Sequence, residues 1–419
     1  MDRACANHEQ GYLELACEYL RLSASTEARR IIERGLESSA KASPLLQYYR
    51  AYIADRGGDA ATARKAIEAA RRQRLELEIF PFRRETLRVL QRIRELEPRD
   101  ANAACLLGEI LYSRARGDEA MTAWRAAIAS DPRHFSALRD LGMALLEAGH
   151  SNEALTLLVR AAEQRPDLLS NTILVARLQA QAGDTSAARQ TLERALKHQP
   201  RHDRLLESLA ALEAQSGNHQ RALELLGRHT FEPQHQSYAL LHVWQAAQLM
   251  ASAAAGQTGH AAAIAHARAA RQPPATLGMD DFATLRSARL LVFEALLHQA
   301  AGASEAARQA WQAAAETAPE GVGAEALFRN IALDKIGETA RAEAWFRNFL
   351  SANARGQTSS LAAARAEAYY LAGIYAAFRA EPEAARVRFR RCLEIDQSFL
   401  WALQALAWLD AGLLSQLAR

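Results

Sequence analysis

The sequence predicts an all-α fold, a right-handed α-solenoid of about ten helical hairpins with a C-terminal capping helix, and three observations predict it. Residues 101–134 are followed by two stretches, 135–168 and 169–202, that repeat their pattern of small and large side chains at a strict 34-residue period. Apolar residues elsewhere recur at the helical spacing. The composition, 49% hydrophobic but only 7% aromatic, is dominated by alanine and leucine, both strong helix formers.

Within the first unit Gly108, Ala120 and Ala127 are the small residues that let two helices approach, and Leu107, Leu111 and Trp124 fill the space between them. Asp131-Pro132 ends the second helix, because proline disfavours helical geometry in the residue before it. The same roles pass to Leu141, Gly142, Ala154, Leu158, Ala161 and Pro166, and then to Val175, Ala176, Ala188, Leu192, Ala195 and Pro200.

Before these units, residues 9–22 carry Tyr12, Leu15, Ala16 and Tyr19 at helical spacing, and 26–36 supply a partner helix through Ala28, Ile32 and Gly35. Ser43-Pro44 caps and starts a helix through Tyr48, Tyr49 and Tyr52, and Gly57-Gly58 turns it into one marked by Ala63, Ile67 and Ala70. Residues 71–84 interrupt the register, with Phe80 and Phe82 expected to plug the joint, and a helix over 85–96 restores it. After 203 the pattern runs through Leu209, Ala210, Ala222 and Leu226 until 227–235 break it. Hairpins follow at 238–252 with 261–270, 282–299 with 305–315, and 323–335 with 338–350. Between them, 272–280 reads as a loop and 351–360 as a polar surface linker. Residues 366–399 form another full unit, and a helix over 400–414 has no successor and caps the array. The expected division is 1–100 (degenerate repeats), 101–236 (regular repeats) and 237–419 (divergent repeats and cap).

The offsets of small and large residues resemble those of the tetratricopeptide repeat. Phe80-Pro81-Phe82-Arg83, the GRHTF-x-P loop over 227–233 and the P-x-x-L-G loop over 274–278 also resemble landmarks of one bacterial family. In that family a domain of unknown function similar to galactose mutarotase precedes a tetratricopeptide array. This chain starts with helical repeats, so the resemblance carries no carbohydrate chemistry onto its residues. Tetratricopeptide domains that grip a chaperone's C-terminal carboxylate use lysines and asparagines on the concave face, a constellation lacking here.

The formal charge of +3 is small, and the basic residues are nearly all arginine. No RNA-binding signature or basic stripe with stacking aromatics is present. Cys5, Cys17, Cys105 and Cys392 have no zinc-type spacing, which suits free thiols in a reducing compartment. The first twenty residues lack an apolar core followed by a cleavage site, and no segment reaches a spanning length. The expectation is a cytoplasmic chain with no membrane, nucleic-acid, metal or cofactor partner. His198 and His202 straddle Pro200 and belong to a turn, and His229, Glu232 and His235 sit on an irregular loop. The arginines Arg71, Arg72, Arg74, Arg83, Arg84, Arg88, Arg92 and Arg94 read first as a solvated face neutralised by nearby glutamates, and second as a docking surface for an acidic partner.

Stacked hairpins leave their first helices lining a concave surface. In the regular units the positions free of packing there are Asn102, Glu109, Tyr112, Arg139, Met143, Leu146, Ile173, Arg177 and Gln181. The expected function is a non-enzymatic scaffold that binds a protein or peptide on this face. The alternative is a helical subunit or detached portion of a carbohydrate-processing protein, active only with a separate mutarotase-like domain.

Overall fold

The structure, a computed structural model, describes residues 9–38, 43–75, 81–232, 237–256, 258–278, 287–319 and 321–418. Among these are twenty-two α-helices and no strand. Among the described residues no helix is long and apolar enough to cross a membrane. The chain divides into two compact units between Leu178 and Gln179.

In the first unit α1 (Glu9–Arg21) pairs with α2 (Ser25–Ser38), and α3 (Pro44–Arg56) with α4 (Ala60–Arg72). Ser43 caps α3 by accepting from the Leu45 N–H, with Pro44 in the first turn. A single helix, α5 (Arg84–Leu96), packs on α3 and on α6 (Ala101–Tyr112). α6 then pairs with α7 (Gly117–Ser130), and α8 (Phe135–Glu147) with α9 (Ser151–Gln164); α10 (Leu169–Gln181) runs to the end of the unit and across the division. Buried Tyr48 donates to Asp100 Oδ1 at 2.9 Å, and the same oxygen caps α6 through the Ala103 N–H.

The seam of each hairpin is as close as the sequence requires. A Cβ on Gly108 would lie 2.4 Å from Trp124 Nε1, and one on Gly142 2.8 Å from Leu158 Cγ. The turns that end α8 and α10, and α12 (Asp203–Gln215) in the second unit, each use a left-handed glycine at the same repeat position: Gly149 (φ 84), Gly183 (φ 86) and Gly217 (φ 83). In the first regular unit that position is Ala115, at φ 58.

The second unit begins with α11 (Thr185–His198), followed by α12 paired with α13 (His219–Arg228). Next come α14 (Ser237–Gly256) with α15 (His260–Arg271), and α16 (Ala288–Ala300) with α17 (Ser304–Ala315). The last pairs are α18 (Ala324–Lys335) with α19 (Thr339–Gln357) and α20 (Ala362–Phe378) with α21 (Pro382–Ile395), before α22 (Leu400–Asp410). α22 caps the unit by packing back onto α14. Trp408, fully buried, donates from Nε1 to Leu249 O at 2.7 Å and stacks edge-on against Phe293. In consequence α16 is buried on all sides, with every residue from Leu290 to His298 out of solvent.

Two irregular loops dock on one another. The Phe231 N–H donates to Thr276 O at 2.8 Å, and Phe231 and Leu277 are both buried. Residues 279–286 of the expected loop and helix lie outside the described residues. Two expectations fail. Residues 351–357 are not a linker but the last turns of α19, because Asn353 is buried and donates to Ala368 O at 2.9 Å while Gly356 lets α20 come close. Phe82 does not plug the joint: it is 51% exposed, with the Arg83 guanidinium 4.3 Å from its ring centroid. Phe80 lies outside the described residues.

The Gly108→Ala variant should lose about 1–3 kcal/mol in denaturant unfolding, since the rigid indole of Trp124 must move. Gly117→Ala, with open space around it, should change stability by no more than about 0.5 kcal/mol, or stabilise. Equal losses would contradict the seam. Ala115→Gly should raise the melting temperature, because left-handed geometry costs an L-residue about 1 kcal/mol, and an unchanged melt would count against that strain.

Candidate functional site

On α6, Cys105, Glu109 and Tyr112 share one face at successive helical turns; α8 opposes them with Arg139, Asp140, Met143 and Glu147. Between the helices lies a cleft of about 220 Å³, with Trp124 of α7 in its wall.

The inner end of the cleft is polar and poorly satisfied. The Cys105 thiol donates to Glu109 Oε1 at 3.7 Å, and one donor atom each from Cys105, Glu109 and Asp140 lies within 4.8 Å of the others. Arg139 donates to Asp140 Oδ1 from Nε at 2.7 Å. The remaining oxygens, Glu109 Oε2 and Asp140 Oδ2, are buried without a hydrogen-bond partner. Burial, with the Asp140 charge behind it, pushes the Glu109 carboxyl up to about 8. Burial also raises Asp140 against the pull of Arg139, and holds the Cys105 thiol well above its ordinary range. A thiol held protonated in this way is a poor nucleophile.

The outer end is apolar and accessible. Tyr112 and Met143 are 38% and 37% exposed. The Tyr112 ring tilts against Trp124 with centroids 5.5 Å apart, and its hydroxyl donates to Glu147. That hydrogen bond is the main cause of a raised Tyr112 pKa.

Four of the nine residues expected on the concave face, Glu109, Tyr112, Arg139 and Met143, therefore meet in one cleft. Leu146 instead packs inward, partly buried against the core. On α10, Arg177 and Gln181 are exposed and Ile173 is partly buried. Asn102 is the clearest departure: it is buried, and its Nδ2 donates to Ala70 O at 3.0 Å and Gln73 O at 2.9 Å. Its Oδ1 faces His134 Nε2 at 3.0 Å, while His134 Nδ1 accepts from the Ala137 N–H and caps α8. Asn102 thus ties α4 to the start of α8. Asp140 and Trp124 were not expected at a site. The signal for Asp140 is in the repeat itself, because the equivalent positions 34 residues away on either side are Leu106 and Leu174.

Elsewhere the candidates resolve into structure. His198 ends α11 and His202 precedes α12, on the expected turn. His229 bonds Asp203 Oδ1 at 2.7 Å, and the Glu232 N–H donates to Asp203 Oδ2 at 2.9 Å, so this carboxylate fastens the loop; His235 lies outside the described residues. Several of the clustered arginines are paired: Arg71 with Glu97, Arg72 with Glu68, Arg83 with Glu14 and Arg92 with Asp55. A second depression, of about 400 Å³ over the starts of α6 and α8, brings Arg71, Arg74, Arg99 and Arg133 beside Asp100 and Asp131.

Stacked hairpins with small-residue seams define an α-helical repeat protein. Residues 105–168 and 175–232 match the tetratricopeptide repeat family model, so the chain carries tetratricopeptide repeats across those segments. No curated protein matches the sequence. Among solved structures, a tetratricopeptide repeat protein from Parabacteroides merdae is similar at 15% identity over 68% of this chain and 97% of that one, with a TM-score of 0.32. MamA is similar at 15% identity over 40% of this chain and 89% of that one, with a TM-score of 0.30. PilW, described as a type IV pilus biogenesis factor, is similar at 21% identity over 52% and 91%, with a TM-score of 0.29.

Burial holds the His134 pKa below its ordinary value, and protonating Nδ1 would remove the α8 cap. The unfolded chain then takes up a proton near pH 6.5 that the folded chain resists, so this contribution is present above that pH and lost on acidification below it. His134→Asn, which keeps a capping acceptor, should flatten the stability profile between about pH 7 and 5. An unaltered slope in urea unfolding across that range would refute the assignment.

Proposed function

We propose that the protein is a non-enzymatic interaction scaffold whose α6–α8 cleft takes a side chain from a protein or peptide partner. The observation that carries this reading is the pair Tyr112 and Met143, two large apolar side chains left exposed together beside Trp124 on the face that repeat stacking does not use. Aromatic and methionine side chains are adaptable contact surface, and the flanking Glu147 and Arg139 supply polar groups at the rim. Ile173 and Arg177 on α10 are further contacts for an extended partner, and we place the scaffold in the reducing cytoplasm, a reading supported by the free thiols of Cys17, Cys105 and Cys392. Arg139 is a poor probe of binding, because reversing its charge would add a third carboxylate beside Glu109 and Asp140.

The test is a peptide-library selection on the purified protein followed by affinity measurement on variants. Met143→Glu should weaken the selected peptides by at least about tenfold, or about 1.4 kcal/mol, with unchanged circular dichroism. Val387→Glu, at an exposed apolar residue on α21, should leave affinity unchanged. Equal affinity of the Met143→Glu variant and the parent would move the site away from this cleft.

A further inference from the structure

We propose that the inner end of the α6–α8 cleft is a binding site for a zinc-class divalent metal ion, with Cys105 Sγ and the Glu109 and Asp140 carboxylates as its ligands.

The geometry carries this. Cys105 and Glu109 stand four residues apart on α6, one turn above the other, and Asp140 reaches in from α8. In a tetrahedral site with Zn–S near 2.3 Å and Zn–O near 2.0 Å, the sulfur and oxygen ligands are about 3.5 Å apart. Cys105 Sγ and Glu109 Oε1 are 3.7 Å apart, and all three donors fall within 4.8 Å, so little movement brings them onto one ion.

Two oxygens of the cluster await a partner. Glu109 Oε2 and Asp140 Oδ2 are buried and accept no hydrogen bond, although buried carboxylates are as a rule satisfied. Arg139 is committed to Asp140 Oδ1 and leaves them free. Once the thiol and both carboxyls have ionised, the three donors outnumber that guanidinium by two negative charges, which one divalent cation offsets. The repeat gives independent support, since Asp140 occupies a position that is leucine in the units before and after it.

The donor set selects the metal. A thiolate disfavours magnesium and calcium and favours zinc, with cobalt(II) as its spectroscopic substitute. Glu109 and Asp140 line the open cleft while Cys105 lies fully buried behind them, so the ion enters from the carboxylate side. As the ligands coordinate, the Cys105 S–H proton and the proton that burial favours on the Glu109 carboxyl both leave to solvent. Three protein ligands leave a fourth position facing the cleft for water. The site stands apart from partner binding, whose contacts, Tyr112 and Met143, lie toward the outer end of the cleft.

Reduced, metal-free full-length protein titrated with Co²⁺ should bind one equivalent and develop a thiolate-to-cobalt charge-transfer band in the near ultraviolet, which Zn²⁺ then abolishes. Cys105→Ser should remove the band while keeping the helical spectrum. Glu109→Gln and Asp140→Asn should each weaken Co²⁺ by at least the 10- to 100-fold seen for loss of an outer-sphere partner. No band in the folded parent, or a band that survives Cys105→Ser, overturns the proposal. Should Cys105→Ser fail to fold, parental cobalt affinity in both carboxylate variants overturns it equally.

Discussion

The structure depends on how closely two helices of a hairpin approach. At Gly108 the indole of Trp124 occupies the space a side chain would need, at Gly142 the isobutyl group of Leu158 does, and at Gly373 of α20 the ring of Phe389 lies 2.4 Å from where a Cβ would sit. A single hairpin cannot bury its apolar face alone, so this contact fixes the unit and stacking then completes the core. It also decides which faces remain for other uses. With Gly108 turned toward α7, the next residue, Glu109, lies on the face that meets α8, and the polar cluster is presented from a helix that packing holds rigidly.

Closure distinguishes the two units. In the second, α22 returns to α14 through Trp408, and α16 has its whole middle, Leu290 to His298, out of solvent. The polar groups caught inside are then held by named partners: Glu294 accepts from Arg268 at 2.9 Å and Arg271 at 2.7 Å, and Ser252 donates to Ala263 O at 2.9 Å. A buried carboxylate with two guanidinium donors is satisfied. Glu109 and Asp140 in the first unit are not, although both are also carboxylates on first helices. The difference lies in what surrounds them, an open cleft on one side and a closed core on the other.

Much of this was legible in the sequence because a strict period is a strong constraint. The glycine and alanine seam, the proline stops and the order of hairpins all follow from the spacing, and the period combined with the helical face accounts for Glu109, Tyr112, Arg139 and Met143 lining one cleft. The failures were local. Asn102 looked free because its hydrogen-bond partners, the carbonyls of Ala70 and Gln73, belong to the end of another helix, and no periodicity reports an unsatisfied carbonyl. Residues 351–357 have the polarity of a linker, but polarity does not report the buried Asn353, which bonds Ala368 O, or the close approach at Gly356. The return of α22 onto α14 joins residues 159 positions apart, and a repeat pattern describes only neighbours.

Asp140 is the residue at which the repeat's own logic breaks. In the unit before, Leu106 at this position is fully buried and packs into the core; in the unit after, the residue is Leu174. Exchanging such a leucine for aspartate removes apolar burial and leaves an acceptor unmade, each costing about 1–3 kcal/mol. Replacing a buried ion pair by well-packed apolar residues is commonly neutral or stabilising, so the Arg139–Asp140 pair is not explained by stability alone. A scaffold needs only its seams to be apolar, and a carboxylate set against that preference, opposite a second carboxylate and a thiol, makes sense where something outside the fold completes it. The cleft supplies the room, the fixed helices supply the geometry, and the unmade bonds of Glu109 and Asp140 define what an incoming group must be: a cation, small enough to pass the rim and soft enough to accept sulfur.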